Sequence, residues 1–182
     1  MAGRTSRFRF TRKESKLREL ASASLMNKRE ETETAKQVLQ KIVYITIATS
    51  SKGGIPWNTP CFCAYDSSYS FYWISHQDCV HSENIRKNSN VAIVAYDSTV
   101  PEGLGFGIYM RAKAGAVNDK KEIAKALSLL YKRKNRPIPD VDEFVGDTPR
   151  KVYKAVPSEV WVNDIGKKSE ELKYLRLKIS LK

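Results

Sequence analysis

The chain has 182 residues, of which 41% are hydrophobic and 10% are aromatic. That is enough for one domain with its own core, plus tails. No apolar run approaches the roughly 20 residues that a membrane-spanning helix needs, and the basic N-terminus lacks the apolar stretch of a secretory signal. These features exclude a membrane-spanning helix and predict a cytoplasmic protein.

The formal net charge is +12, and much of the basic excess lies at the two ends. We therefore expect a basic arm over 1–36, a folded body over 37–165 and a basic tail over 166–182. Basic ends could contact nucleic acid, but the simpler interpretation is that they confer solubility. The three cysteines form no C-x-x-C pair, which favours a reducing compartment over a disulfide framework.

The first predicted elements are a short helix and a strand. Thr32 or Thr34 could cap a helix that carries Val38 and Leu39 onto the body. Alternating apolar residues then predict a strand over 42–49.

A glycine-containing turn at 50–54 leads into a second predicted strand, Ile55 to Tyr65. Pro60 lies inside this strand and cannot donate to a neighbouring strand, so we expect the strand to be at an edge or locally open there. A third strand over 69–75 completes a meander.

The remaining pattern adds a short helix, a longer helix and three strands. Asp119 and Glu122 resemble a capping box for the longer helix, and Pro157 is expected to bend the last strand. The expected ranges are 82–87 and 120–134 for the helices, and 91–96, 106–117 and 152–163 for the strands. Six strands, with helices between or beside them, predict a mainly β fold, a small barrel with helical additions.

A polar, helix-starting turn interrupts the strands between Ser75 and Asn88. The N–H groups of a helix start have no helical partner, and the helix dipole favours an anion there. Candidate ligand contacts are Ser75, Ser82, Asn84 and a His81 that could be cationic. The alternative is that Ser82 only caps its own helix.

A metal site is a weaker interpretation of the same turn. His76, Cys79 and His81 are zinc-type ligands, but their spacing matches no standard pair. We therefore predict no metal site. Either histidine could be an axial haem ligand, although nothing in the sequence selects haem.

Four segments together resemble the pyridoxamine 5′-phosphate oxidase-like FMN-binding split-barrel superfamily. They are Lys-Gly-Gly-Ile-Pro-Trp-Asn-Thr-Pro at 52–60, Phe-Tyr-Trp-Ile-Ser at 71–75, His-Ser-Glu-Asn-Ile-Arg-Lys-Asn at 81–88 and Val-Pro-Ser-Glu-Val-Trp at 156–161. The resemblance covers residues 38–163. It implies a six-stranded split barrel, a homodimer, and FMN in clefts between the subunits.

The resemblance also implies roles for particular residues. Asn58, Thr59 and Pro60 would run beside the flavin ring and its ribityl chain, and Ile74 and Ser75 would approach the phosphate. His81 falls where the family commonly has a phosphate-binding lysine. Trp161 would come from the second subunit.

The chain departs from the true oxidases at several positions. Asn58 and Cys63 stand where those enzymes have arginine and lysine, and Val80 and His81 replace a basic pair. The late Arg-x-His substrate motif is absent, so pyridoxal phosphate synthesis is not expected. The phosphate would lose charged hydrogen bonds, which cations from either subunit could replace: Arg86, Lys87, Arg111 or Lys113.

The sequence therefore predicts an FMN-dependent oxidoreductase whose partner is a small-molecule redox substrate or a nicotinamide cofactor. One alternative is a non-catalytic protein that binds or senses a flavin, a deazaflavin or haem. Another is a dimeric scaffold with an emptied cleft.

Overall fold

The computed structural model describes residues 28–101, 105–163 and 176–181. Helix α1 includes residues 28–41, α2 is Val80–Lys87 and α3 is Lys120–Lys134, and a 3-10 turn covers Val141–Phe144. The strands are β1 Tyr44–Ser50, β2 Pro56–Phe62, β3 Ala64–Tyr65, β4 Phe71–His76, β5 Asn90–Tyr96, β6 Gly107–Ala116, β7 Arg150–Asn163 and β8 Arg176–Ile179. No helix within the described residues has both the length and the apolarity needed to cross a bilayer.

The strands form one antiparallel sheet in the order β2-β1-β5-β6-β7-β4-β3, and β8 pairs with β7. The terminal strands β2 and β3 are consecutive in the chain and separated by Cys63 alone. The sheet therefore curls until its two ends meet at Cys63, while β2 keeps an unpaired edge. This confirms the predicted mainly β split barrel, and it confirms that the strand containing Pro60 is an edge strand.

The long strand β7 contains the bend expected at Pro157. Arg111 pairs with Glu159 and Ala112 pairs with Pro157, which leaves Ser158 without a partner in the ladder. This two-against-one arrangement is a β-bulge, and it increases the local twist of the strand. Because the first half of β7 pairs with β4 and its second half with β8, the bulge helps the strand to follow the curl of the sheet.

Two hydrophobic cores pack on opposite faces of the sheet. The first fills the barrel and includes Trp73 and Cys61, and the second lies under α3 and includes Tyr72 and Ala64. Burial raises the pKa of the Cys61 thiol to about 12 and that of Cys63 to about 12, so both stay protonated. They pack as small apolar residues.

Helix α1 differs from its prediction at its start. The helix is already formed at residue 28, so Thr32 and Thr34 lie inside it and do not cap it. Their hydroxyl groups donate to the carbonyl oxygens of Lys28 at 2.8 Å and Glu30 at 3.0 Å. A threonine hydroxyl can bond one turn back inside a helix as well as cap one, which is why the sequence pattern misplaced the start.

The C-terminal end of α1 is tied to α3 by Arg133. Its guanidinium donates to the carbonyl oxygens of Leu39 and Gln40, each at 3.2 Å, and also to that of Ile42. Carbonyl groups at a helix end lack helical partners, so a cation there both satisfies them and complements the helix dipole. Arg133 therefore joins α1 to the body of the protein.

Strand β8 was not predicted, because its residues were assigned to the basic tail. In the structure Ile179 and Leu181 are buried in the barrel core. Arg176 and Lys178 alternate with these apolar residues, and in so short a segment the cations conceal the period-2 pattern of a strand.

Candidate functional site

A cleft of about 470 Å³ lies between the unpaired edge of β2 and the beginning of α2. Its volume falls within the range of small-molecule and cofactor sites. The residues that line it come from one short stretch of each element: Trp57, Asn58, Thr59 and Pro60 from β2, and Asp78, Cys79, Val80 and His81 from the start of α2. Three of the predicted site residues on β2 and one on α2 therefore do lie together.

The free edge of β2 presents mostly carbonyl groups. The Cys63 N–H donates to the Val43 carbonyl oxygen at 3.0 Å, so the odd-numbered residues of this segment are the ones bonded to β1. The backbone groups of Pro56, Asn58 and Pro60 must then point to the free edge. Because proline has no N–H, these three residues offer three carbonyl oxygens and a single donor, the N–H of Asn58.

Apolar side chains surround this polar edge. Trp57 is 48% exposed and Val80 is 46% exposed, so both present apolar surface to a ligand in the cleft. The Thr59 hydroxyl is buried and has no hydrogen-bond partner among the described residues. A flat ligand with polar atoms along one side would cover the indole and could satisfy both the strand edge and this hydroxyl.

The opposite wall is an uncapped helix start. Cys79 is the N-cap of α2 and makes no side-chain capping bond. The first helical bond is donated by the Glu83 N–H to the Cys79 carbonyl oxygen at 3.0 Å. The N–H groups before Glu83 therefore lack helical acceptors, and together with the dipole they favour an anion at this end of the cleft.

His81 is held in place by Ser75 and is not a cation. It is 6% exposed, and its Nε2 lies 2.8 Å from the Ser75 Oγ. Burial lowers the pKa of the His81 imidazole, so the ring is neutral at pH 7. The expectation that His81 could be cationic beside a bound anion stays a prediction, because burial opposes the charge in the protein alone.

The charge of the cleft lining is negative. Among the residues that line the cleft, Asp78 is the one with a formally charged side chain. The Cys79 sulfur lies 3.4 Å from each His81 ring nitrogen and 3.1 Å from the Ser82 hydroxyl. An anion bound here would have to be held by N–H and hydroxyl groups, or by a cation outside the lining.

The remaining expected contacts on α2 and β4 support the cleft from behind. Ser82 and Asn84 are buried, and the Asn84 amide donates to the Thr49 hydroxyl at 3.1 Å. Thr49 in turn donates to the Trp57 carbonyl oxygen at 3.3 Å. This chain of bonds fixes β2 relative to α2. Ile74 packs against the core under α3, so its side chain does not line the cleft.

Trp161 lies on the outer surface of β7. Its indole packs between Arg111, 5.3 Å from the ring centroid, and Lys178, at 5.7 Å. It lines a separate hollow of about 530 Å³ with Tyr109 and Arg176. Trp161 is therefore not part of the cleft lining of its own chain, and its expected contact with the ligand would require a second copy.

The sequence did not assign ligand contacts to Trp57, Asp78, Val80 or Cys79. The sequence did contain one indication of the site: Trp57 is a large aromatic residue in a strand segment that begins at Pro56 and contains Pro60. Cys79 was considered only as a metal ligand. However, no three His, Cys, Asp or Glu side chains in the described parts of the chain are placed to hold a metal ion.

Comparison with known proteins gives a family match and several structural neighbours. The model of the family described as pyridoxamine 5′-phosphate oxidase matches residues 31–164. HutZ, the heme storage protein from Vibrio cholerae, is 16% identical with a TM-score of 0.62, over 71% of this chain and 92% of its own. No curated protein sequence matches significantly.

Two further structural neighbours are described as different enzymes. An F420 reductase is 19% identical with a TM-score of 0.52, over 69% of this chain and 94% of its own. A candidate pyridoxamine 5′-phosphate oxidase from Listeria innocua is 16% identical with a TM-score of 0.54, over 72% and 96%. At these identities the neighbours establish a shared fold.

Proposed function

Because the chain belongs to the pyridoxamine 5′-phosphate oxidase family, we propose that it is an FMN-dependent oxidoreductase whose cofactor lies in the cleft between β2 and α2. The observation that carries this proposal is the pairing of an open strand edge with an uncapped helix start across one cleft of about 470 Å³. These walls suit a ligand that is flat at one end and anionic at the other.

The chemistry of each wall fits a part of FMN. The pyrimidine edge of a flavin alternates carbonyl oxygens with one N–H, which complements the N–H and carbonyl of Asn58 on the strand edge. The exposed Trp57 indole would cover apolar ring surface. The helix start would receive the phosphate.

When bound, FMN supplies hydride or electron transfer, and the chain's own residues bind, orient and shield it. No acid–base side chain is required, so a neutral His81 is compatible with this role. Its partner would be a small-molecule redox substrate or a nicotinamide cofactor.

We also expect the protein to act as a homodimer. Trp161 is half-buried on the sheet surface remote from the cleft lining of its own chain. In a dimer this surface of one subunit would close the cleft of the other. Light scattering that gives the mass of one chain in the presence of FMN would contradict this expectation.

A second candidate is a non-catalytic protein that binds haem or a deazaflavin. The shared fold with a heme storage protein and with an F420 reductase favours it. The two propionates of haem, like the phosphate of FMN, would find no cation in the cleft lining.

The absorption spectrum of the purified protein and a titration with FMN distinguish these functions. The proposal predicts flavin bands, or quenching of flavin fluorescence as added FMN binds. A Soret band would support haem binding. Protein that remains colourless and does not quench either FMN or an added deazaflavin would contradict both and favour the scaffold.

The polar pair at the start of α2 provides a first mutational test. Replacing Ser75 or His81 with alanine removes one member of the 2.8 Å contact. We expect FMN to bind about 3- to 10-fold more weakly in each variant, the effect of one neutral hydrogen bond. Fluorescence titration measures the affinity, and a melting curve confirms folding.

Ser128→Ala is the matched control for these variants. Ser128 is exposed on α3, outside the cleft lining, so this substitution should not change FMN affinity. Unchanged affinity in both Ser75→Ala and His81→Ala would contradict an anion site at the helix start.

A further inference from the structure

Strand β7 places a buried lysine on the barrel side of the sheet. Lys151 is 9% exposed, and alternation puts its side chain on the same face as Tyr153. That face is interior, because the Tyr153 ring stacks on Trp73 in the barrel core at 5.6 Å. Lys151 is therefore a cation directed into the protein.

The ammonium group of Lys151 has little to neutralise it. It donates to the Gly146 carbonyl oxygen. It is a member of none of the ion pairs among the described residues. A buried charge with one neutral acceptor is costly, and an ammonium group has three donors. The environment of Lys151 thus lacks an anion.

The register of the sheet connects Lys151 with the helix start. Lys151 lies directly opposite Ser75 in the β4–β7 pair, so their Cβ atoms are about 5 Å apart on one face. Ser75 in turn contacts His81, which lines the cleft. Lys151 is therefore separated from the proposed anion site by the contacting side chains of Ser75 and His81.

The other cations near this corner already have contacts. The Arg86 guanidinium donates to the Gln77 carbonyl oxygen at 2.6 Å, and the Arg150 guanidinium lies 5.4 Å from the centroid of the Phe144 ring. Both are exposed, so water can satisfy their charges. Of these three cations, Lys151 is the one whose side chain is buried.

We propose that Lys151 supplies the positive charge for the phosphate of FMN, in place of the basic pair that the family commonly has at the start of α2. The inference rests on the proposed function, because it identifies the cation of the same site. It explains how the site could hold a phosphate although Asp78 is the one charged side chain of its lining.

The test compares FMN with riboflavin, which has the same ring and no phosphate. Wild-type protein should bind FMN at least tenfold more tightly than riboflavin. Lys151→Met should weaken FMN binding by about 10- to 100-fold, the effect of one charged hydrogen bond. It should leave riboflavin affinity within about twofold, because riboflavin has no group for the ammonium to hold. Both affinities come from fluorescence quenching.

Two control variants separate this role from general effects of charge and folding. Lys121→Met removes an exposed lysine of α3 and should change neither affinity. Lys151→Arg keeps the charge, so it should keep the preference for FMN over riboflavin even if Lys151→Met folds poorly.

Several results would overturn the inference. Equal wild-type affinity for FMN and riboflavin would show that the protein gains no binding energy from the phosphate. If Lys151→Met lost affinity for FMN and for riboflavin equally, the inference would also fail. It would fail as well if Lys151→Arg bound FMN no more tightly than riboflavin. If FMN binds tightly and Lys151→Met does not weaken it, the inference fails and the proposed function stands. If neither flavin binds the wild-type protein, the proposed function itself fails.

Discussion

Replacing Leu39 with alanine is expected to destabilise the protein by about 3 kcal/mol, because it leaves a cavity in the barrel core. Leu39 is 1% exposed and belongs to the same core as Ile47 and Trp73. Helix α1 therefore closes the barrel interior and is part of the folded body. Urea unfolding followed by circular dichroism measures the change.

Gln37→Ala is the control for the Leu39 variant. Gln37 is exposed on the same helix, and alanine is the better helix former. Its unfolding midpoint should be equal to or slightly above that of the wild type. A Leu39→Ala midpoint equal to that of Gln37→Ala would show that α1 is not seated on the barrel in solution.

The second large effect is expected at Asp66, in the turn between β3 and β4. One carboxylate oxygen accepts the N–H groups of Ser68 at 2.9 Å and Ser70 at 3.0 Å. The other accepts from the Tyr72 hydroxyl at 3.1 Å and the Lys125 ammonium at 2.6 Å. Asp66→Asn removes the charge and leaves an amide facing two donors, at an expected loss of about 3 kcal/mol.

The effect of Asp66→Asn should depend on pH in a defined direction. Burial acts to raise the pKa of the Asp66 carboxyl, but Lys125 and the N–H groups of Ser70 and Ser68 outweigh it and hold the pKa below its usual value. The stabilisation is therefore complete above the unfolded pKa of about 3.9 and is lost as the pH falls through the lower folded pKa.

Unfolding of wild type and Asp66→Asn across the pH range tests this dependence. The stability difference should be constant from neutral pH down to about pH 5 and should shrink below about pH 4. As a control, Glu33→Ala removes an exposed ion pair with Lys36 and should leave the midpoint nearly unchanged. A difference between wild type and Asp66→Asn that persists unchanged at pH 2 would contradict an ionised, stabilising carboxylate.

Most of the fold could be predicted from local patterns. Alternation located the body strands to within a few residues, Pro60 identified an edge strand, and the Asp119 carboxylate does accept the Glu122 N–H at the start of α3. These features are determined by residues that are close in sequence. The division of the second predicted strand at Cys63 results from closure of the barrel, which depends on residues far apart in the sequence.

The site could be predicted only in part. Pro60 indicated the strand edge on one side of the cleft, and the polar turn after Ser75 indicated the helix start on the other side. The protonation of His81 depends on its burial, which the sequence does not show. Lys151 was overlooked for the same reason. In the sequence it is one of several cations, and its significance comes from the face it occupies and from its register opposite Ser75.

The most direct test of the cleft is a crystal structure of the protein grown with FMN. The proposal predicts the flavin ring along Pro56–Pro60, where β2 has its free edge, with the phosphate beside the first turn of α2. Density for the flavin at another surface, or none beside β2 under saturating FMN, would contradict the assignment of this cleft.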